Sequence, residues 1–254
     1  MQRHAFRYLL LCSFFAIATL CLLLVMNTTQ ARQIRIVCIG DSITQGGIAD
    51  REEYSYRYPL YYLLRDEGYP VDFIGSQQRG LQQDATWPDR DGVPFDQDHE
   101  GVYGIRTRGA LNRLPAAIEK WPAPPDIALI HLGTNDQNDE DTETAIVKPL
   151  TEIIALVRET NPQVVIFVAH IHFNSEMHQR IRMQVQALME QLDSPQSPVT
   201  AIRSWEDFNA DPNHPQTDTF DWAHPNPAGQ LKYAQKWFAA MKPTLDRLKV
   251  ELAQ

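Results

Sequence analysis

Short apolar runs rich in β-branched residues alternate along the chain with longer segments of helical period. The apolar runs cover residues 34–39, 71–74, 127–132, 164–169 and 199–203. The helical segments cover residues 58–67, 108–120, 142–160 and 174–192, and the third carries a stripe of Ile146, Leu150, Ile153, Ile154 and Val157. Strands that alternate with helices predict an α/β fold whose parallel sheet is covered by helices on both faces.

A final amphipathic helix is predicted to begin at about Pro227. Its apolar positions are spaced by three or four residues and comprise Leu231, Ala234, Phe238, Met241, Leu245 and Leu248. Asn226 and Pro227 suit the N-cap and the first helical position, because an Asn side chain accepts from free N–H groups and proline needs no N–H there. Residues 32–254 contain neither an internal repeat nor an interdomain linker, so the sequence predicts one domain there.

The first 31 residues have a different pattern. A basic start with Arg3 and Arg7 precedes an uncharged apolar run over residues 8–26, and Thr29-Gln30-Ala31 is small and polar. This order is typical of an export signal. The run approaches the roughly 20 residues that span a bilayer, so a cleaved signal peptide and an uncleaved N-terminal membrane anchor both stay open. Either one predicts a secreted, periplasmic or otherwise extracytoplasmic domain over residues 32–254.

Charge and cysteine content narrow the classes of partner and environment. The formal net charge of the chain is −9. The leader contains Arg3 and Arg7 but no Asp or Glu, so the net charge of residues 32–254 is more negative still. Such a field repels a phosphate backbone, which excludes nucleic acid as a partner. Cys38 is the only cysteine beyond the leader, so the domain has no internal disulfide. Because it lies in an apolar run, we expect Cys38 to be a buried small hydrophobe.

In parallel sheets, reactive groups gather beyond the carboxyl ends of the strands. The first strand ends in Gly40-Asp41-Ser42, where the Ser42 hydroxyl can lie above the sheet and its N–H can face a developing oxyanion. The alternative is a strand-to-helix turn in which Asp41 or Ser42 only caps. The loop contains neither a Gly-x-Ser-x-Gly elbow nor a phosphate-binding Gly-Lys-Ser/Thr ending.

Two further loops offer hydrogen-bond donors. The third strand is followed by Gly133-Thr134-Asn135-Asp136, where the Asn135 amide can hold an oxyanion, although a plain Asx turn is the alternative. The segment 99–104 ends in Gly104, whose backbone amide is a further candidate donor.

A candidate base lies near the C-terminus. Asp221 and His224 are three residues apart, so the carboxylate can hold one ring nitrogen and leave the other free. Asp211 and His214 repeat this spacing. We favour His224, because it directly precedes the capped last helix, whereas His214 lies in a loop rich in Pro, Asp and Asn.

Together these motifs identify a resemblance. Gly40-Asp41-Ser42, Gly104, Gly133-Thr134-Asn135-Asp136 and Asp221-x-x-His224-Pro225-Asn226 occur in the order of the sequence blocks of SGNH (GDSL-like) hydrolases. The segments 58–60, 71–76 and 98–101 are most similar to the acetyl xylan esterase-type carbohydrate esterases. The resemblance implies a three-layer sandwich with a five-stranded, flavodoxin-like parallel sheet. It also implies acyl transfer without a metal or cofactor, with Ser42 as nucleophile, His224 as base, Asp221 orienting His224, and Ser42, Gly104 and Asn135 forming the oxyanion hole.

The chain departs from that family at two points. Gln45 lies where these esterases often have Glu, and Tyr103-Gly104-Ile105-Arg106 replaces a Ser-Gly-Trp-Thr type of sequence. A Tyr beside the oxyanion site can narrow the acyl pocket or contact a sugar.

The other candidates concern substrate contact and metal binding. Asp41, Tyr103 and Trp87 are candidates for substrate contact. The polar segment 77–98 either forms a wall of the substrate cleft, with Trp87 or Phe95 stacking on a sugar, or is a solvated insertion. Its aspartates are candidate Ca²⁺ ligands, but Gly92 is misplaced for a calcium loop of the EF-hand type. We expect His131, His170 and His172 to be structural, and no metal site is predicted.

The sequence therefore predicts a secreted or anchored serine esterase that acts on a small acyl ester or an acetylated carbohydrate. Two alternatives stay open. One is a lipid esterase, lysophospholipase or thioesterase that uses the same three residues. The other is a carbohydrate-binding protein that has kept the fold and lost catalysis. A membrane is a predicted partner only if residues 1–31 are retained as an anchor. The sequence makes no prediction of oligomeric state.

Overall fold

Six parallel strands form the central sheet in a computed structural model that describes residues 32–82, 87–136 and 141–254. The strands are β1 (Ile34–Gly40), β2 (Val71–Ile74), β3 (Glu100–Gly101), β4 (Ile127–His131), β5 (Val165–Ala169) and β6 (Val199–Ile202). The main path runs in the order β2-β1-β4-β5-β6, and every pairing is parallel. The predicted five-stranded parallel sheet is confirmed, and β3, which pairs with the end of β1, was not predicted.

Helices cover both faces of this sheet. They are α1 (Ser42–Gln45), α2 (Arg57–Asp66), α3 (Thr107–Ile118), α4 (Lys148–Thr160), α5 (Glu176–Leu192) and α6 (Pro227–Leu252). The segment predicted as one helix over 142–160 begins as a π turn, Glu143–Val147, before α4. Pro149 lies at the start of α4, and its missing N–H cannot continue the hydrogen bonding of the preceding turn.

Alternation along the strands divides the core into two layers. In β1, the side chains of Ile36 and Cys38 point to the layer under α2 and α6, and those of Val37 and Ile39 point to the layer under α3, α4 and α5. Because both faces are buried, the strands read as continuous apolar runs. The three-layer sandwich is therefore confirmed, and Cys38 is fully buried as expected.

The last helix begins at a fixed point. Asn226 accepts a hydrogen bond from the Gly229 N–H at 3.1 Å and donates to the Thr217 carbonyl at 2.8 Å, and Pro227 follows as the first helical residue. The buried face of α6 shares Ala234, Met241 and Leu245 with the predicted stripe. It differs in that Leu231 is exposed, whereas Tyr233 and Trp237 are buried. This cap holds the segment 221–226 against the body of the domain.

Close approaches between backbones hold the loops at the end of β1 together. A Cβ atom added at Gly40 would lie 2.6 Å from the His131 carbonyl oxygen, and one added at Gly101 would lie 2.5 Å from the Gln45 nitrogen. Both positions therefore need glycine. The loops that follow β1, β3 and β4 consequently meet at one edge of the sheet.

Residues 33–254 form one compact unit. None of the helices in the described ranges combines the length and the apolar character needed to cross a bilayer. The predicted signal peptide or anchor over residues 1–31 lies outside the described residues.

Candidate active site

Three side chains form a hydrogen-bonded line at the carboxyl end of the sheet. The Ser42 Oγ lies 3.0 Å from the His224 Nε2. The His224 Nδ1 lies 2.9 Å from both carboxylate oxygens of Asp221. A neutral ring with its hydrogen on Nδ1 donates to Asp221 and accepts from the Ser42 hydroxyl, which is the arrangement that a serine nucleophile and its base require.

The strand-to-helix turn at the end of β1 positions Ser42. Asp41 accepts a hydrogen bond from the Ile43 N–H at 2.9 Å and so caps α1, in which Ser42 is the first residue. Asp41 is fully buried, and its carboxylate lies 3.8 Å from the His131 Nδ1. The expectation that Asp41 contacts substrate is therefore wrong, because no surface of the side chain is open to a ligand.

The turn that carries the base is organised by Asp221. Its carboxylate accepts from the backbone N–H groups of His224 at 2.9 Å and of Ala223 at 3.3 Å, in addition to the ring. Partial burial tends to raise the pKa of Asp221, but the hydrogen bonds from His224 and Arg51 outweigh it and bring the pKa to about 2. The carboxylate is therefore ionised throughout the neutral pH range.

Trp222 is a residue of this turn that the sequence analysis did not single out. Its φ of +72° lies in the left-handed region, which is strained for a large side chain, and 53% of its surface is exposed. The His172 Nε2 lies 3.2 Å from its carbonyl oxygen, and the His172 Nδ1 lies 2.9 Å from the Tyr233 hydroxyl. The first of these bonds holds the backbone of Trp222, whose indole is exposed.

Donors for an oxyanion lie in the neighbouring loops. Across the part of the chain that the structure describes, no protein acceptor takes the N–H of Ser42 or of Gly104. The Asn135 side chain donates one hydrogen to the Ile105 carbonyl at 2.8 Å, which leaves its second hydrogen available. The Val102 N–H donates to the Gly40 carbonyl at 3.0 Å, so the loop with Gly104 is fixed beside the Ser42 turn.

Further hydrogen bonds hold the loop that contains Gly104. The Asp136 carboxylate accepts from both the N–H and the hydroxyl of Thr107, at 2.8 and 2.7 Å. Gln45, which differs from the Glu that resembling esterases often have, accepts from the Tyr103 N–H at 2.6 Å. The neutral amide of Gln45 thus links the nucleophile turn directly to the loop of Gly104.

Tyr103 lies at the site, as the sequence analysis expected. Its ring stacks on the imidazole of His224, with 5.0 Å between the ring centroids and an angle of 22° between the planes. Its hydroxyl donates to Glu53 at 3.2 Å, and Arg51 links Glu53 to Asp221. Arg51 and Glu53 were not predicted from the sequence, although both follow the nucleophile turn closely in the chain.

Trp87 and Phe95 do not face a substrate cleft. Both are buried, and their rings lie 5.9 Å apart in the core layer under α2. The Trp87 indole N–H donates to the Tyr54 carbonyl at 2.9 Å. The proposed role of Trp87 in stacking on a sugar is therefore wrong, because the segment 87–98 turns its aromatic side chains inward.

His131, His170, His172 and His214 are separate from the hydrogen-bonded line. His131 is fully buried, and burial lowers the pKa of His172 to about 3 and that of His170 to about 4, so both rings are neutral near pH 7. His214 is exposed, and its Nδ1 accepts from the Gln216 N–H at 3.1 Å. Within the described ranges, no group of three His, Cys, Asp or Glu side chains is arranged to hold a metal ion.

Two cavities lie outside the hydrogen-bonded line of Ser42, His224 and Asp221. A polar cavity of about 380 Å³ borders the nucleophile turn and is lined by Gln45, Gly75, Ser76, Gln77, Gln78 and Arg79. A larger cavity of about 610 Å³ lies between α5 and the loop after β6, where His170, Arg182 and Trp205 line it. Neither Ser42 nor His224 lines either cavity, and the smaller one touches the nucleophile turn through Gln45.

Comparison with known proteins relates these features to a family. The model of the GDSL-like lipase/acylhydrolase family matches residues 38–232. No curated protein matches the chain in sequence.

Solved structures share the fold. A family 3 carbohydrate esterase from Clostridium thermocellum is 25% identical, with a TM-score of 0.65, and the match covers 86% of this chain and 100% of that one. A carbohydrate esterase family 3 protein from Talaromyces cellulolyticus is 22% identical, with a TM-score of 0.66 and coverage of 85% and 99%. A lipase/acylhydrolase from Enterococcus faecalis is 19% identical, with a TM-score of 0.55 and coverage of 83% and 96%.

Proposed function

The chain belongs to the GDSL-like lipase/acylhydrolase family and is a carboxylic ester hydrolase, and from that premise we propose that it removes short acyl groups, acetyl above all, from carbohydrate by serine catalysis. The observation that carries the proposal is the hydrogen-bonded line from Asp221 through His224 to Ser42. Such a line activates a hydroxyl that is otherwise a weak nucleophile.

In the acylation step, the Ser42 Oγ attacks the ester carbonyl while the His224 Nε2 takes its proton. The imidazolium that forms is stabilised by the ionised Asp221. When the tetrahedral intermediate collapses, His224 gives the proton to the leaving oxygen, the C–O bond of the ester breaks, and the sugar hydroxyl departs. Ser42 then carries the acyl group as an ester.

In the deacylation step, water attacks the acyl-serine. His224 takes a proton from the water and returns it to the Ser42 Oγ as the acyl bond breaks, so a carboxylic acid leaves and the enzyme is regenerated. In both steps the oxyanion is stabilised by the N–H groups of Ser42 and Gly104 and by the side chain of Asn135. The absence of protein acceptors for the two backbone groups in the described chain supports this assignment.

The choice of carbohydrate as the acyl carrier is supported by the surroundings of the site. Trp222, two residues before His224 in the chain, presents an exposed indole, and aromatic faces are suited to packing against the apolar face of a sugar ring. The cavity that borders the nucleophile turn is lined mainly by amide, hydroxyl and guanidinium groups, which can hydrogen-bond sugar hydroxyls. Two of the structurally similar proteins are carbohydrate esterases of family 3.

The proposal also covers residues 1–31, which direct the domain out of the cytoplasm as a signal peptide or an anchor. Cell fractionation tests this point. The protein is expected in the extracytoplasmic fraction, and mass spectrometry of its N-terminus distinguishes cleavage from anchoring. Recovery in the cytoplasm alone contradicts export.

The experiment on function compares the hydrolysis of para-nitrophenyl acetate, butyrate and octanoate with the release of acetate from acetylated xylo-oligosaccharides. We expect acetate esters to be the best substrates and Ser42→Ala to have no activity. Faster turnover of octanoate overturns the short-chain assignment in favour of a lipid substrate. No turnover by the folded wild-type protein overturns catalysis and favours a carbohydrate-binding protein.

A further inference from the structure

A closed ring of contacts includes the candidate base. Its members are Asp221, Arg51, Glu53, Tyr103 and His224, which we call the contact ring. The Arg51 Nη1 donates to the Asp221 Oδ2 at 2.9 Å, and the Arg51 Nε donates to the Glu53 Oε2 at 2.8 Å. The second Glu53 oxygen accepts from the Tyr103 hydroxyl at 3.2 Å, and the Tyr103 ring stacks on His224. Each member therefore touches the next, and the last touches the first.

The backbone holds the Arg51 end of the ring firmly. The segment 48–53 closes on itself, with a hydrogen bond of 3.1 Å from the Glu53 N–H to the Ile48 carbonyl and one of 2.6 Å from the Gly47 N–H to the Glu53 carbonyl. This segment directly follows α1, which carries Ser42. The loop after the nucleophile thus reaches across to the turn that carries the base.

A second contact joins Arg51 to the same turn. Its guanidinium lies over the Phe220 ring, 5.0 Å from the centroid, and the Phe220 N–H donates to the His224 carbonyl at 2.9 Å. Arginine is suited to such a position, because its planar fork binds carboxylates on its edge and aromatic rings on its face.

Asp221 needs this support because 38% of its side chain is exposed. Water competes for an exposed carboxylate, and an isolated surface ion pair contributes little to stability. Glu53 is only 3% exposed, so its carboxylate is a fixed anchor rather than a solvated one. Burial tends to lower the pKa of Arg51, but its bonds to Glu53 and Asp221 raise it, and burial beside Glu53 raises the pKa of Tyr103. Arg51 is therefore charged, and Tyr103 keeps the hydrogen that it donates.

The charges of the ring are balanced in a way that suits the reaction. Arg51 alone would offset the negative charge of Asp221 and so weaken its stabilisation of the His224 imidazolium. The buried Glu53 restores a net negative charge to the group. The ring can thus orient Asp221 through Arg51 without losing the electrostatic effect of the carboxylate on the base.

We propose that Arg51, Glu53 and Tyr103 are positioning residues of the esterase. Arg51 orients Asp221, Glu53 neutralises and fixes Arg51, and Tyr103 holds the plane of the His224 ring. This inference rests on the proposed function, because it assigns these residues to the reaction of Ser42 and His224.

The pH dependence of kcat/KM tests the electrostatic part. The charged and titratable groups that face His224 are Asp221 and Tyr103, with Arg51 and Glu53 behind them. His224 must be neutral to take a proton, so any change that raises its pKa moves the acid limb to higher pH. Arg51→Met removes a positive charge and should move the acid limb to higher pH. Glu53→Gln removes a negative charge and should move it to lower pH. We expect shifts on the order of 0.5 pH unit.

Turnover tests the geometric part. Arg51→Met should lower kcat for para-nitrophenyl acetate on the order of tenfold with little change in KM, because a misplaced base slows proton transfer rather than binding. Arg51→Lys keeps the charge and loses the planar fork, so kcat should fall while the acid limb stays in place. Tyr103→Phe keeps the stacked ring and should lower kcat less than Tyr103→Ala.

A matched control is Arg90→Met. Arg90 pairs with Asp66 and lies over the Tyr62 ring, so it makes a comparable ion pair and ring contact outside the contact ring. We expect this variant to keep the wild-type kcat and acid limb. A fall in its kcat similar to that of Arg51→Met indicates a general effect of losing a surface pair and overturns the inference.

The outcomes separate this inference from the proposed function. If Ser42→Ala keeps wild-type activity, the proposed function fails and the inference fails with it. If Ser42→Ala is inactive but folded Arg51→Met and Glu53→Gln keep the wild-type kcat and acid limb, only the inference is overturned. The inference is also overturned if Arg51→Met and Glu53→Gln move the acid limb in the same direction. Should Arg51→Met not fold, Arg51→Lys and Glu53→Gln decide the matter by the same two measurements.

Discussion

Replacing Asn135 by Ala removes one of the three donors assigned to the oxyanion, and its cost can be worked out from the structure. The amide of Asn135 has two hydrogens, of which one is donated to the Ile105 carbonyl at 2.8 Å. The second is assigned to the transition state. Losing one preorganised donor to an oxyanion typically costs about 2.7–4 kcal/mol, or about 10²–10³ in kcat.

The first hydrogen gives a separate and smaller effect on stability. A neutral hydrogen bond contributes about 1 kcal/mol to folding, so Asn135→Ala should lower the free energy of unfolding by about that amount. The loop stays attached through the bonds between Asp136 and Thr107. We therefore expect a folded protein in which catalysis is far more impaired than stability.

The assay is the hydrolysis of para-nitrophenyl acetate under saturation, together with unfolding in urea. Thr107→Val is the matched control, because it removes the hydroxyl bond to Asp136 at 2.7 Å and loosens the same loop without touching the donor. Its kcat should fall by less than a factor of five. A folded Asn135→Ala variant whose kcat is within fivefold of the wild type would refute the reasoning, and so would equal losses in the two variants.

Further predictions concern the base, the indole of Trp222 and the partly buried Asp96. His224→Ala should abolish hydrolysis of para-nitrophenyl acetate while His214→Ala keeps it, and the reverse result contradicts the assignment of the base. Trp222→Ala should raise KM for acetylated xylo-oligosaccharides about tenfold, from a lost packing energy of about 1–2 kcal/mol, with a much smaller effect on para-nitrophenyl acetate; equal effects on both substrates contradict sugar stacking. Burial raises the pKa of Asp96 to about 6, despite its hydrogen bond from the Phe73 N–H. Between about pH 4 and pH 6 the folded protein therefore binds a proton at Asp96 that the unfolded chain has lost. The free energy of unfolding should fall as pH rises through this range, by about 3 kcal/mol at most. The free energy of unfolding of Asp96→Asn, measured in urea, should not fall over this pH range. The same fall in the variant as in the wild type would contradict its assignment to Asp96.

The sequence was sufficient to predict the sheet and its layers. Because the strands are buried on both faces, they are continuous apolar runs that are easily distinguished from the helical segments between them. It did not reveal β3, whose residues Glu100 and Gly101 have no apolar pattern and form a strand only by pairing with β1. It also misplaced Trp87, since a polar loop with aromatic residues can turn them either way. Only the packing of the loop against α2 decides which.

The sequence brought residues to the site by local spacing, as for Asp221 and His224, or by their place at strand ends and in family motifs, as for Ser42 and Asn135. Asp221 and His224 are three residues apart, so one turn joins them. Arg51 and Asp221 are 170 positions apart, and no local pattern links them. Trp222 could have been noticed, because it is a large aromatic residue in the turn between Asp221 and His224.

The central claim is that Ser42 is the nucleophile, and covalent labelling tests it most directly. The protein is treated with diethyl para-nitrophenyl phosphate, which phosphorylates activated serines, and the modified residue is located by mass spectrometry of the peptides. We expect one diethylphosphoryl group on Ser42, with no label in Ser42→Ala and strongly reduced labelling in His224→Ala. Labelling of another residue while Ser42 stays unmodified, with activity lost in step, would contradict the account.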